Sequence, residues 1–135
     1  MILVDTNVFV DIWTTDTSWH AWSTAALARA ADQDSIAINP VIYAELSLGF
    51  DSEGELDATL AGAGIHRLAL PYPAAWLAAR AFAAYRKRGG VRTAPLPDFF
   101  IGAHAAAAGL TLLTRDAARI RTYFPKVKLI APSPR

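Results

Sequence analysis

Four acidic side chains occupy positions where charge is costly. Asp5 closes the apolar run Met1-Ile2-Leu3-Val4, and Asp116 follows the apolar run Leu110 to Thr114. Both runs read as short buried strands. In a parallel sheet covered by helices, ligands bind in the crevice outside the carboxyl ends of the strands. Carboxylates just beyond two such strands therefore stand where a metal–phosphate site would form. Glu45 lies among Val41, Ile42 and Leu48 at helical spacing, so it shares a face with apolar neighbours. Asp98 precedes Ile101, Gly102 and Ala105 at i+3, i+4 and i+7, which places it along an apolar stripe. Gly102 suggests a close approach by another backbone there.

Each acid also has an ordinary explanation. Asp5 and Asp116 could be turn or cap residues, Asp98 could complement a helix dipole, and Glu45 could be partly exposed at a helix end. Together they ask for more. Converging carboxylates repel one another unless a cation offsets them. With no cysteine in the chain and no paired histidines, hard oxygen donors point to Mg²⁺ or Mn²⁺ rather than zinc. Thr114 could supply a hydroxyl that orients Asp116.

Length and composition set the frame for these residues. A chain of 135 residues, 53% hydrophobic and with a mean hydropathy of +0.24, fits one domain spanning 1–135 with a well-filled core. Lack of cysteine excludes a disulfide frame, a thiol nucleophile and a thiolate metal site. No signal-peptide pattern opens the sequence, and the most apolar stretch, Phe99 to Leu113, is shorter than the ~20 residues that span a bilayer. The expectation is a soluble, cytoplasmic protein. Net charge is +1, but residues 1–85 hold three basic and ten acidic residues, a net −7. Residues 86–135 hold ten basic and two acidic, a net +8, a pattern compatible with a polyanion-binding face.

The elements that must position the acids follow from periodicity and punctuation. Strands are expected over 1–5, 35–39, 65–70, 111–114 and 128–130. Helices are expected from Thr6 through Ile12, Trp19 to Ala31, Pro40 to near Gly49, 51–63, Pro73 to Arg88, Asp98 to Ala108 and Ala117 to Tyr123. Asn39-Pro40 is a cap followed by proline at the first helical position. Residues 91–97 read as a basic, proline-bearing loop. Strands alternating with helices predict a three-layer α/β/α domain around a parallel sheet of about five strands.

Other residues suit quieter roles. His20, His66 and His104 have no metal-ligand spacing to one another, and His104 reads as a satisfied structural histidine. Arg86, Lys87, Arg88 and Arg92 flank Gly89-Gly90 just before Asp98, either as a solvated helix end or as phosphate-steering charges. Arg115 could pair with a carboxylate or with a substrate phosphate.

The motifs resemble those of PIN-domain ribonucleases. Met1-Ile2-Leu3-Val4-Asp5-Thr6-Asn7-Val8 is similar to the family's opening strand, and Val41-Ile42-Tyr43-Ala44-Glu45-Leu46 to its helical glutamate. Asp98-Phe99-Phe100-Ile101-Gly102-Ala103-His104-Ala105 resembles its second aspartate motif and Leu113-Thr114-Arg115-Asp116 its third. Their order, spacing and the chain length resemble the VapC-type toxins of bacterial toxin–antitoxin pairs. The resemblance implies a PIN-like fold and an acidic cluster of Asp5, Glu45, Asp98 and Asp116. Asp5, Asp98 and Asp116 would be direct metal ligands, Glu45 would act through water or as a general base, and Asn7 and Thr114 would be supporting groups. Where some relatives carry a further acid, this chain has Ala117-Ala118-Arg119, which speaks against a second metal. The implied reaction is endonucleolytic hydrolysis of RNA by metal-activated water, leaving a 5′-phosphate and a 3′-hydroxyl. The implied partners are a VapB-like antitoxin and a second copy of the chain, with Trp13, Trp19 and Trp22 as candidates to line the antitoxin groove.

Two other readings fit parts of the pattern. A catalytically idle RNA-binding or regulatory module could use the same fold. A haloacid dehalogenase-like phosphohydrolase also opens with strand then aspartate, but it wants a second acid where Asn7 stands.

Overall fold

The structure, a computed structural model, describes residues 1–15, 18–89 and 96–133. Five short runs of apolar or β-favouring residues form strands: β1 (Ile2–Val4), β2 (Ile36–Ile38), β3 (His66–Arg67), β4 (Thr111–Leu113) and β5 (Leu129–Ile130). They make one all-parallel sheet in the order β3-β2-β1-β4-β5. β1 is central, and Ile2, Leu3 and Val4 are all buried, as a strand covered on both faces requires. Ile2 pairs with both Ile36 and Thr111, so β1 is fixed in register from two sides.

Seven helices complete the three-layer arrangement: α1 (Thr6–Trp13), α2 (His20–Gln33), α3 (Pro40–Ser47), α4 (Glu53–Gly62), α5 (Tyr72–Lys87), α6 (Leu96–Ala108) and α7 (Ala118–Tyr123). Asn39 caps α3 as its type predicts, accepting a hydrogen bond from the Ile42 N–H at 2.9 Å. Ser52 does the same for α4, accepting from the Glu55 N–H at 3.1 Å. The chain runs from β1 to β2 on one side and returns from β3 to β4 on the other. The reversal opens a crevice at the carboxyl ends of β1 and β4, the switch point where α/β sheets bind ligands.

Three details differ from the sequence reading. The third strand shrinks from 65–70 to His66–Arg67, because β3 is an exposed edge whose pairing to β2 covers only Ala37 and Ile38. α6 starts at Leu96, two residues before Asp98, so Asp98 sits within its first turn. At Gly102 the close neighbours are side chains rather than backbone. An added Cβ would lie 2.6 Å from Phe124 Cδ2 and 2.8 Å from Ile120 Cδ1, so glycine is what lets α7 pack directly on α6. Among the described residues no helix is long and apolar enough to cross a membrane.

Candidate active site

Asp5 leaves β1 at the switch point, its N–H donating to the Leu113 carbonyl at 2.9 Å. It stands at the N-cap position of α1 but makes no side-chain cap bond. Its carboxylate is instead engaged by β4: the Thr114 hydroxyl donates to Asp5 Oδ2 at 2.8 Å. Thr114 has one proton to give, and the shorter contact takes it. Its oxygen accepts from Asn7 Nδ2 at 3.3 Å and from the Asp116 N–H at 3.1 Å. Asn7 Nδ2 also reaches Asp5 Oδ2 at 3.3 Å, and Asn7 Oδ1 accepts the Arg115 N–H at 3.3 Å. Thr114 thus orients the Asp5 carboxylate and the backbone of Asp116, not the Asp116 side chain, which is exposed.

Glu45 arrives from α3, half-buried, and its Oε1 accepts the Thr6 hydroxyl at 2.7 Å. Asp98 arrives from α6, and its Oδ2 accepts from Arg119 Nη1 at 2.7 Å. The electrostatics tie the four acids together. Burial pushes the Asp5 carboxyl up to about 6, against the Thr114 hydrogen bond, with the charges of Asp98 and Glu45 pushing the same way. The Asp98 carboxyl is raised mainly by burial. Arg119 opposes that shift, while the charges of Glu45 and Asp116 add to it. Asp98 is thus the acid whose charge interaction reaches each of the other three. Among the described residues, no three carboxylate or imidazole groups stand close enough to form a ready-made metal cage.

The basic residues divide. Arg86, Lys87 and Arg88 are exposed at or just past the end of α5. Arg88 lies over the Tyr123 ring at 5.5 Å, in the aromatic cluster that also seats Arg119. Arg92 lies outside the described residues. Arg115 Nε donates to Asp11 Oδ2 at 2.7 Å, so it serves a carboxylate on α1. Trp13 packs on Phe9 and Phe50 with ring centroids 5.6 and 5.4 Å apart, whereas Trp19 and Trp22 meet each other at 6.1 Å. His104 is buried, and its Nδ1 accepts from Asn39 Nδ2 at 3.0 Å, with burial lowering its pKa.

Three residues of this region escaped the sequence reading. Thr6, read there only as the start of a helix, secures Glu45. Arg119, noted only as part of the stretch where some relatives carry a further acid, takes Asp98. Asp11 is fully buried, bound by Arg115 and by the Ser23 hydroxyl at 2.7 Å. A signal for Asp11 was present, because it lies one helical turn after buried Val8, as Glu45 does among its apolar neighbours.

Comparison with known proteins bears on the fold and the family. No curated protein sequence matches the chain. Among solved structures, a chain of VapBC2 from Rickettsia felis, crystallised bound to a DNA fragment from its promoter, superposes with a TM-score of 0.72 at 19% identity, covering 98% of this chain and 100% of that one. A chain of VapBC-1 from nontypeable Haemophilus influenzae gives a TM-score of 0.71 at 16% identity, covering 97% and 98%. VapC20 of Mycobacterium tuberculosis, a sarcin-ricin loop cleaving toxin, gives 0.61 at 14%, covering 95% and 99%. These similarities establish the shared fold. The family model of the PIN domain matches residues 2–125, taking in β1 with Asp5, Glu45 of α3, Asp98 of α6 and Asp116, and the chain belongs to the PIN domain family.

Proposed function

We propose that this chain is a Mg²⁺- or Mn²⁺-dependent endoribonuclease acting as the toxin of a type II toxin–antitoxin pair. The observation that supports it most is Asp5: a carboxyl at the switch point raised to about 6, with Glu45 and Asp98 adding their charge. Such a site is costly to ionise without a cation, and its donors are hard oxygens of the kind Mg²⁺ and Mn²⁺ prefer. Membership of the PIN domain family and the likeness to the VapBC structures support the same reading.

In this reading Asp5, Asp98 and Asp116 would hold the ion, which when bound would activate water and offset phosphoryl charge. The chain's own residues supply the rest. Thr114 and Asn7 hold Asp5 in one orientation, so little reorganisation remains at the moment of reaction. Thr6 takes one oxygen of Glu45 and leaves the other to accept a proton from attacking water. Arg86, Lys87 and Arg88 draw the RNA backbone toward the acids. Leu48, Tyr72 and Trp76 are exposed, apolar surface that fits a chain working with a VapB-like antitoxin or as a homodimer.

The test is cleavage of a mixed RNA pool with Mg²⁺ or Mn²⁺, beside EDTA and an Asp5→Asn control. Metal-dependent cutting that disappears in the variant is expected, and the mapped ends identify the target. A folded wild-type protein that cuts nothing, with the variant indistinguishable from it, would favour an idle RNA-binding module. Co-purification with a neighbouring small protein tests the antitoxin part separately.

A further inference from the structure

Arg119 brings a fixed positive charge into the acidic crevice. Its Nη1 sits 2.7 Å from Asp98 Oδ2, and its guanidinium carbon lies 5.4 Å from the centroid of the Tyr85 ring and 5.6 Å from that of Phe99. The seat is itself built of rings packed on one another. Tyr85 and Phe99 have centroids 5.4 Å apart, and Tyr123 packs on Phe99 at 5.4 Å. A planar guanidinium held by aromatic rings gives up less freedom on pairing than a free one does. The pair is nevertheless accessible, with side-chain exposures of 30% for Arg119 and 36% for Asp98. Ion pairs this open to solvent are weak and can be displaced.

Among the described residues, Arg119 is the cation paired with any of Asp5, Glu45, Asp98 and Asp116. It therefore stands where a divalent ion would have to draw on Asp98. Resting on the metal-dependent reading above, we propose that Arg119 is an internal counter-ion that competes with the divalent cation for Asp98 and so sets how tightly the site holds it. Between ions, the guanidinium partly offsets the crowded carboxylates. To bind, the divalent cation must share Asp98 with that guanidinium or displace it, which weakens binding. A role limited to pinning α7 onto α6 makes a different forecast, because the pin depends on shape and ring contact as much as on charge.

Calorimetric titration of the folded protein with Mn²⁺ separates the two. Arg119→Met and Arg119→Gln remove the charge, Arg119→Lys keeps it, and Asp5→Asn damages the metal site itself. Removal of one partly screened charge should tighten Mn²⁺ binding about tenfold in both neutral variants. Arg119→Lys should stay near the wild type, and Asp5→Asn should abolish binding. Circular dichroism melts identify any variant that fails to fold, and the two neutral variants cover for each other. If Asp5→Asn abolishes binding but the neutral variants bind no more tightly than wild type, Arg119 is only a pin and the proposal falls, while the metal reading stands. If neither the wild type nor the neutral variants bind Mn²⁺, both fall together.

Discussion

Asp5 precedes one short helix and Asp11 lies within it, and the two meet opposite fates. Asp11 is fully buried, yet its Oδ2 receives Arg115 Nε at 2.7 Å and the Ser23 hydroxyl at 2.7 Å. Its backbone carbonyl accepts from His20 Nδ1 at 2.9 Å. Asp5, six residues earlier, receives hydroxyl and amide hydrogen bonds but has no cationic partner among the described residues. It is raised to about 6 by burial with Asp98 and Glu45 adding their charge. The fold has the means to neutralise a buried aspartate and applies them to Asp11. In the proposed reading the missing partner of Asp5 is the divalent ion, whereas Asp11 ties α1, α2 and the segment after β4 together.

The sharpest way to break this distinction is to neutralise each acid in turn. Asp5→Asn should lower RNA cleavage about 10³-fold, roughly 4 kcal/mol of transition-state stabilisation, measured as kcat/KM on a mapped RNA. Asp11→Ala should instead lower stability, by about 3 kcal/mol in urea unfolding, because it strands Arg115 against a buried site. If Asp11→Ala abolished cleavage without moving the unfolding midpoint, the separation of roles would collapse.

Asp5 also makes an unusual pH forecast. An acid whose folded pKa is raised binds more protons folded than unfolded, so stability falls as pH climbs through the interval from the ordinary value near 3.8 to about 6. Asp98 is shifted the same way. Metal-free protein should therefore lose roughly 2 kcal/mol between pH 4 and pH 7 from these groups, discounted for partial exposure. Excess Mg²⁺ should remove most of that loss, and Asp5→Asn should flatten it without metal. Thermal melts across pH check all three, and a metal-free profile that rises over this interval would contradict the account. The smallest expected effects belong to the supporting hydroxyls. Thr6→Val and Thr114→Val should each cost about tenfold in kcat with little change in KM, roughly 1.4 kcal/mol. A loss confined to KM would mean that these hydroxyls touch substrate instead.

The parts of this fold legible in the sequence are those written in local pattern. The run Ile2-Leu3-Val4 is too apolar for anything but a covered strand, and Asn39-Pro40 can hardly avoid opening a helix. Both follow from backbone and burial preferences that act within a few residues. Glu45 and Asp98 were visible because a charge on an apolar stripe needs a reason. What stayed hidden depends on which elements meet. Nothing near Thr6 shows that its hydroxyl will find a glutamate 39 residues away. Nothing near Arg119 shows that α7 will lie close enough to α6 to reach Asp98. That approach depends on Gly102, where a methyl group would strike Phe124 and Ile120. The short β3 was overread because an apolar stretch beside a sheet edge need not pair along its length.

The central place of β1 sets a timetable for the molecule. Its two neighbours come from far apart in the chain, and the bond that orients Asp5 reaches across 109 residues to Thr114. During synthesis, β1 can pair with β2 early but must wait for β4, and contacts of such long range close slowly. Until residues 111–116 have left the ribosome, Asp5 has neither its hydroxyl nor Asp116 nearby. Under the proposed nuclease reading, a nascent chain is harmless to the RNA around it for most of its elongation, because the crevice closes only when the sheet does.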